Sequence, residues 1–184
     1  MANERTMLIT GASRGIGAAT ARLAAARGWA VAINYRTQAE EAEALAAELR
    51  ASGAEAAALA ADLGDERQIV SMFAAADRAL PPLGCLVNNA GRPAPRRMRL
   101  EDLDAPEVNG IFAVNVTGPI VATREAVRRM SGRAGSSVIN VSSLAARHGA
   151  PGLWVHYAAS KAALDTFTLG LAKEIAGSGI RING

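Results

Sequence analysis

Cysteine, histidine and aromatic residues are scarce: one cysteine, two histidines, and only 4% aromatics in 184 residues. A single cysteine, Cys85, excludes an internal disulfide and reads best as a small buried apolar side chain. His148 and His156 have no second ligand at metal spacing, so no metal centre is expected. No apolar run reaches bilayer-spanning length. The opening "MANERTMLIT" has neither a long apolar core nor a cleavage signature, so no signal peptide is expected. These absences fit a cytoplasmic protein. Repeats, linkers and low-complexity tracts are missing too, and residues 1–184 are expected to form one domain. Lysine is also rare: among 20 basic residues only Lys161 and Lys173 are lysines.

Half of the residues are apolar and a fifth charged, the pattern of a globular chain with a core of small aliphatic side chains. The formal charge of +3 permits an anionic ligand without naming one. The densest basic run, "GRPAPRRMRLEDL", holds Arg92, Arg96, Arg97 and Arg99 with two prolines and no aromatic residue. It reads as a solvated loop rather than a nucleic-acid patch.

Short apolar runs alternate with longer helical ones. Strands are expected at 6–10, 30–35, 55–62, 85–89, 137–142 and 180–183. Helices are expected from Ile16 to Arg27, from Thr37 to Ser52 with Gly53 ending it, and from an Asp65 cap to Leu80, where Pro81 and Pro82 stop it. Further helices are expected from Pro106 to Met130 and from Tyr157 to Ala176. Strands that are apolar throughout and separated by helices indicate a parallel sheet covered on both faces. The fold class is therefore α/β, a doubly wound, three-layer αβα domain, whose ligand sits beyond the carboxyl ends of the strands.

After the first strand comes "TGASRGIG", with Gly11, Gly15 and Gly17 spaced G-x-x-x-G-x-G. Such a turn lets the backbone approach a pyrophosphate at a helix N-terminus. An acid ending the second strand would favour a free ribose hydroxyl; Tyr35 and Arg36 stand there instead. A guanidinium holds a 2′-phosphate that a carboxylate would repel, and Arg14 can close on the same group. NADP(H) is thus favoured over NAD(H). Asp62 ends the third strand, where its carboxylate either accepts from an adenine amino group or caps a turn. In "NNAG", Asn88 and Asn89 can tie neighbouring segments together, while Ala90 and Gly91 leave room for a flat ligand.

With "TGASRGIG", "NNAG", Asn115 in "VNVTG", Ser143 in "INVSS", and Tyr157 with Lys161 in "YAASK", the sequence resembles the short-chain dehydrogenase/reductase family over essentially its whole length. The resemblance implies a Rossmann-type domain that interconverts carbonyls and alcohols with NAD(P)(H). The implied cofactor contacts are Gly11, Ser13, Arg14, Gly15, Ile16 and Gly17, then Tyr35, Arg36, Asp62 and Leu63, then Asn89, Ala90 and Gly91, with Tyr157 and Lys161. The implied catalytic residues are Asn115, Ser143, Tyr157 and Lys161.

Residues i and i+4 share a helix face, so Tyr157 and Lys161 can point into one site. A phenol is a poor base at neutral pH, and a nearby ammonium favours its phenolate. Tyr157 can then exchange a proton with a carbonyl or alcohol oxygen. A guanidinium is too bulky a substitute for an ammonium that, in the family, also holds the nicotinamide ribose. Ser143, with Ser142 as competitor, can hydrogen-bond the substrate oxygen. In the family, Asn115 holds a water of a proton relay. His156 is expected at the solvent or the pocket rim, and Trp154 either walls the substrate pocket or simply packs. The family continues past "GIRING" with a substrate lid, a helix and a final strand, so a chain ending there is expected to have an incomplete substrate side. A nucleotide-binding protein without turnover is the rival reading. Small-molecule substrates, no nucleic acid, no membrane, and a homo-tetramer or homo-dimer are the partners implied.

Overall fold

A computed structural model describes residues 5–94 and 96–184. The opening tetrapeptide and Pro95 of the basic run lie outside the described residues. The apolar runs form strands β1 (Thr6–Ile9), β2 (Ala30–Tyr35), β3 (Ala56–Ala60), β4 (Leu83–Asn88), β5 (Ser136–Asn140) and β6 (Ile180–Asn183). Between them lie α1 (Gly15–Ala26), α2 (Ala39–Ala51), α3 (Glu66–Ala79), α4 (Ala105–Phe112), α5 (Gly118–Met130), α6 (Ala145–His148) and α7 (Val155–Glu174). Every neighbouring pair is parallel, in the order β3-β2-β1-β4-β5-β6. The chain reverses direction across the sheet at β1, which pairs with both β2 and β4. A crevice therefore opens beyond the carboxyl ends of β1 and β4.

One core forms on each face of the sheet. On one side Leu8, Leu86 and Val138 pack against Ile69, Met72 and Phe73 of α3 and Ala122, Ala126 and Met130 of α5. On the other, Ile9, Val31 and Ile33 pack against alanines of α1 and Leu45 and Leu49 of α2. Alanine at Ala18, Ala21 and Ala24 lets α1 lie close to the strands, which explains a core with so few aromatic side chains. Cys85 is buried within this second core, and burial pushes its thiol pKa up.

The local signals act as the sequence suggests. The Asp65 carboxylate accepts from the N–H groups of Arg67 and Gln68 and starts α3; Pro81 and Pro82 follow its end. β3 is a strand despite its alanines, because pairing with β2 outweighs propensity.

Two features differ from the expectation. The single helix expected from Pro106 to Met130 is interrupted by a π-helical turn, Ala113–Thr117, centred on Asn115. Such a wide turn redirects one side chain without ending the helix. The segment before α7 contains the short helix α6, which closes at Gly149 in the left-handed region.

Candidate active site

The turn after β1 is built by missing side chains. Gly11 has φ +61, and a Cβ there would lie 2.9 Å from Ala90 Cα. A Cβ on Gly17 would lie 2.6 Å from the Gly11 carbonyl oxygen and 2.7 Å from Asn89 Nδ2. Gly17 is thus a packing glycine, buried beneath the turn. Asn89 donates to the carbonyls of Thr10 and Gly11 at 2.9 and 3.0 Å, while Thr10 Oγ1 accepts from the N–H groups of Asn89 and Ala90. Asn88 does the tying expected of it, donating to Thr123 on α5 and to Asn140 on β5.

Asn34 is a residue the sequence reading passed over as part of a strand. Its Oδ1 accepts from Gly11 N–H at 3.1 Å, and its amide donates to the carbonyls of Leu59 and Ala61. One side chain therefore joins three strand ends. Only the sheet order, which brings β1 and β3 to either side of β2, makes that visible.

Over this turn lies a cavity of about 670 Å³. Gly11, Ser13, Arg14, Gly15 and Ile16 line it from the first turn, and Tyr35 and Arg36 from the end of β2. Asp62 and Leu63 line it after β3, and Asn89, Ala90 and Gly91 after β4. Val114 of the π turn is a further lining residue that the sequence reading did not name. The N-terminus of α1 opens here without a side-chain cap, so its N–H groups suit an anion. Arg36 and Asp62 sit 3.8 Å apart at the mouth, both well exposed, where an ion pair adds little. The Asp62 carboxylate also accepts from Gly64 N–H at 2.8 Å, closing the turn. A backbone that no Cβ obstructs, a free helix N-terminus and two arginines fit a dinucleotide phosphate.

The other site residues come from α7, the π turn and the loop after β5. Asn115 is fully buried. Its Oδ1 accepts from Arg92 N–H at 2.7 Å, and its Nδ2 donates to the Arg92 carbonyl and to Ser160 Oγ, both at 3.1 Å. Ser160 Oγ in turn donates to the Tyr157 carbonyl at 2.7 Å. Lys161 is buried and donates to the Val141 carbonyl at 2.8 Å. Burial lowers its pKa, with Asp165 acting in the opposite direction. A Cβ on Gly91 would stand 3.7 Å from both Asn115 Oδ1 and Lys161 Nζ, so α7 and the π turn come up to a lining residue of the first cavity. Tyr157 packs against the small cluster of Ala145, Ala150 and Ala158.

Ser143 and Ser142 both line a second cavity, of about 770 Å³, with Leu144, Arg147 and Asp165. Ser143 Oγ accepts from Ala145 N–H at 3.2 Å. Ser142 Oγ is buried and unpartnered among the described residues.

Two expectations need correction. His156 is not at the solvent or the rim: it is buried, because the first turn of α7 presents it to α4, where Nε2 lies 3.9 Å from Glu107 Oε1. The basic run is not solvated throughout: Arg96, Arg97 and Arg99 are exposed, but the Arg92 guanidinium donates to Glu107 at 2.5 Å. Trp154 is at the surface, its indole N–H donating to the Arg96 carbonyl at 3.1 Å.

No helix among the described residues is long and apolar enough to cross a membrane. The family profile of the short chain dehydrogenases matches residues 5–184. An uncharacterized oxidoreductase of Escherichia coli, YgfF, is 46% identical over 179 residues, which cover 96% of this chain and 72% of that protein. A Burkholderia cenocepacia short chain dehydrogenase crystallised with NADP superposes with a TM-score of 0.89 at 37% identity, over 97% of this chain and 71% of that one. A blue fluorescent protein from a metagenomic library, crystallised with NADPH, gives a TM-score of 0.90 at 36% identity, over the same shares of each chain. The turn, the strand order and these likenesses agree: the chain belongs to the short-chain dehydrogenase/reductase family of oxidoreductases.

Proposed function

We propose that the protein interconverts a carbonyl and a secondary alcohol, with NADP(H) as its cofactor and Tyr157 as general acid and base. One observation carries the reading: Asn115 Oδ1 and Lys161 Nζ come to the same point beside Gly91, which lines the phosphate-friendly cavity. When bound, the nicotinamide supplies or accepts the hydride.

The chain's own residues move the proton. Tyr157 donates to the carbonyl oxygen during reduction and accepts from the alcohol during oxidation. Lys161, held one helical turn on, supplies the positive charge beside that proton exchange and would hold the nicotinamide ribose. Ser143 donates a hydrogen bond to the substrate oxygen, where negative charge grows. Asn115 fixes the floor beneath both, since its amide grips Arg92 on one side and Ser160 on the other. Arg14 and Arg36 line the cavity and would hold a 2′-phosphate, the support for NADP(H) over NAD(H). The NADP and NADPH complexes of similar structures are consistent with that preference.

NADPH consumption with a panel of ketones and aldehydes tests the reading when run beside a binding titration. The expected result is turnover by the wild type and, for Tyr157→Phe, NADPH binding within about threefold of wild type with at least about a hundredfold lower kcat. Equal turnover by both proteins would remove Tyr157 from the mechanism. Nucleotide binding with no turnover by the wild type would favour a binding protein instead.

A further inference from the structure

Glu107 is the one ionisable residue of α4, and its side chain is only 13% exposed. Carboxylates are rarely so buried unless paired. One oxygen, Oε2, accepts from the Arg92 guanidinium. The other, Oε1, faces His156 Nε2 at 3.9 Å, and neither ring nitrogen of that buried histidine has a hydrogen-bond partner among the described residues. Gly110 stands one turn after Glu107, and a Cβ there would run into the Arg92 guanidinium. The helix thus leaves open the path along which the arginine reaches the carboxylate.

Both ends of the row Arg92, Glu107 and His156 touch the site. The backbone of Arg92 holds both polar atoms of Asn115. His156 immediately precedes Tyr157 in the first turn of α7. Among the described residues between β4 and α4 the backbone is irregular apart from a 3-10 turn at Leu100–Asp102, so a ladder of backbone bonds does not fix where Arg92 sits. A largely buried carboxylate that grips the Arg92 guanidinium on one side and packs against the buried His156 imidazole on the other helps to do so, since removing it leaves the guanidinium without its partner.

We propose that Glu107 is a positioning residue for the carbonyl–alcohol reaction: through Arg92 and His156 it joins the loop that holds Asn115 to the helix turn that carries Tyr157. Its functional meaning rests on the reaction proposed above, while the tie itself is a structural claim with its own readout. Neither Glu107 nor His156 touches the reacting atoms. Their effect is on where the proton donor stands, and small displacements of a catalytic group cost large factors in rate.

The chain's two tyrosines, Tyr35 and Tyr157, make the test direct. With isotope-labelled tyrosine rings, NMR resolves one set of ring signals for each, in the full chain and without substrate. Glu107→Gln and His156→Gln are each expected to move or broaden the Tyr157 signals while leaving those of Tyr35 in place. The double variant is expected to match the singles rather than sum them, because each removes the same tie. In turnover, each single variant is expected to lose about tenfold in kcat with the cofactor KM within about twofold. Tyr157 signals identical to wild type in both singles, or summed displacements in the double, would overturn the proposal. If Glu107→Gln does not fold, as loss of the Tyr35 signals would reveal, Arg92→Gln at the more exposed end decides by the same criteria. A wild type that turns over no carbonyl defeats the proposed reaction, and the Tyr157 signals still judge the tie.

Discussion

The Lys161 ammonium, buried in α7, donates to the Val141 carbonyl just beyond β5 at 2.8 Å. One backbone oxygen thus anchors the cation beside Tyr157, which leaves its other two protons for a ligand or water. A planar guanidinium cannot gather three donors on one atom at that point. Lys161→Arg is expected to lower kcat by at least about a hundredfold, and steady-state turnover checks it. Retained activity would mean that charge alone suffices.

The same burial makes Lys161 a small burden on the fold. Its folded-state pKa is lowered from the ordinary 10.5, chiefly by burial. In the alkaline range below that value the folded state releases a proton that the unfolded chain still holds, so stability rises with pH there. Lys161→Met removes this contribution. Denaturant melts across the range should show wild type gaining on the variant as pH rises; parallel curves would contradict the assignment.

Arg36 faces Asp62 across the mouth of the cavity, exposed and weakly paired. A guanidinium so little engaged is free to turn to a phosphate. Arg36→Asp is expected to weaken NADPH binding by roughly 10- to 100-fold, as for a lost charge-assisted hydrogen bond, with NADH affected less than about threefold. Fluorescence titration with both nucleotides measures this, and equal losses would contradict it.

Gly17 lies under the turn with the Gly11 carbonyl and the Asn89 amide against the place of its missing side chain. Gly17→Ala forces the turn to shift and is expected to cost about 1–3 kcal/mol of stability, together with most of the nucleotide affinity. Equilibrium unfolding checks the first and titration the second. A loss below about 0.5 kcal/mol would mean that the turn adapts freely.

The sequence made local features legible and left the distant ones hidden. β2 and β6 have the expected bounds because each apolar run stands between turn residues, and α3 starts where the Asp65 side chain can reach its first N–H groups. Most of the cavity-lining residues were readable because they follow strands in a sheet whose type the alternation reveals. Asn34 was not, since its partners come from β1 and β3 and depend on strand order. The π turn at Asn115 was not either, because the pattern of an amphipathic helix continues across it. Glu107, Arg92 and His156 lie on three segments far apart in the chain, and no local pattern in a loop, a helix face or a helix start shows that packing brings them together.

The most direct test of the central claim follows the transferred hydrogen. With NADPH deuterated at the nicotinamide C4 and a ketone substrate, mass spectrometry locates the label in the product. The account predicts deuterium on the carbinol carbon of the alcohol formed by the wild type and at least about a hundredfold less labelled alcohol from Tyr157→Phe at equal nucleotide saturation. Unlabelled alcohol, or equal labelled product from both proteins, would contradict it.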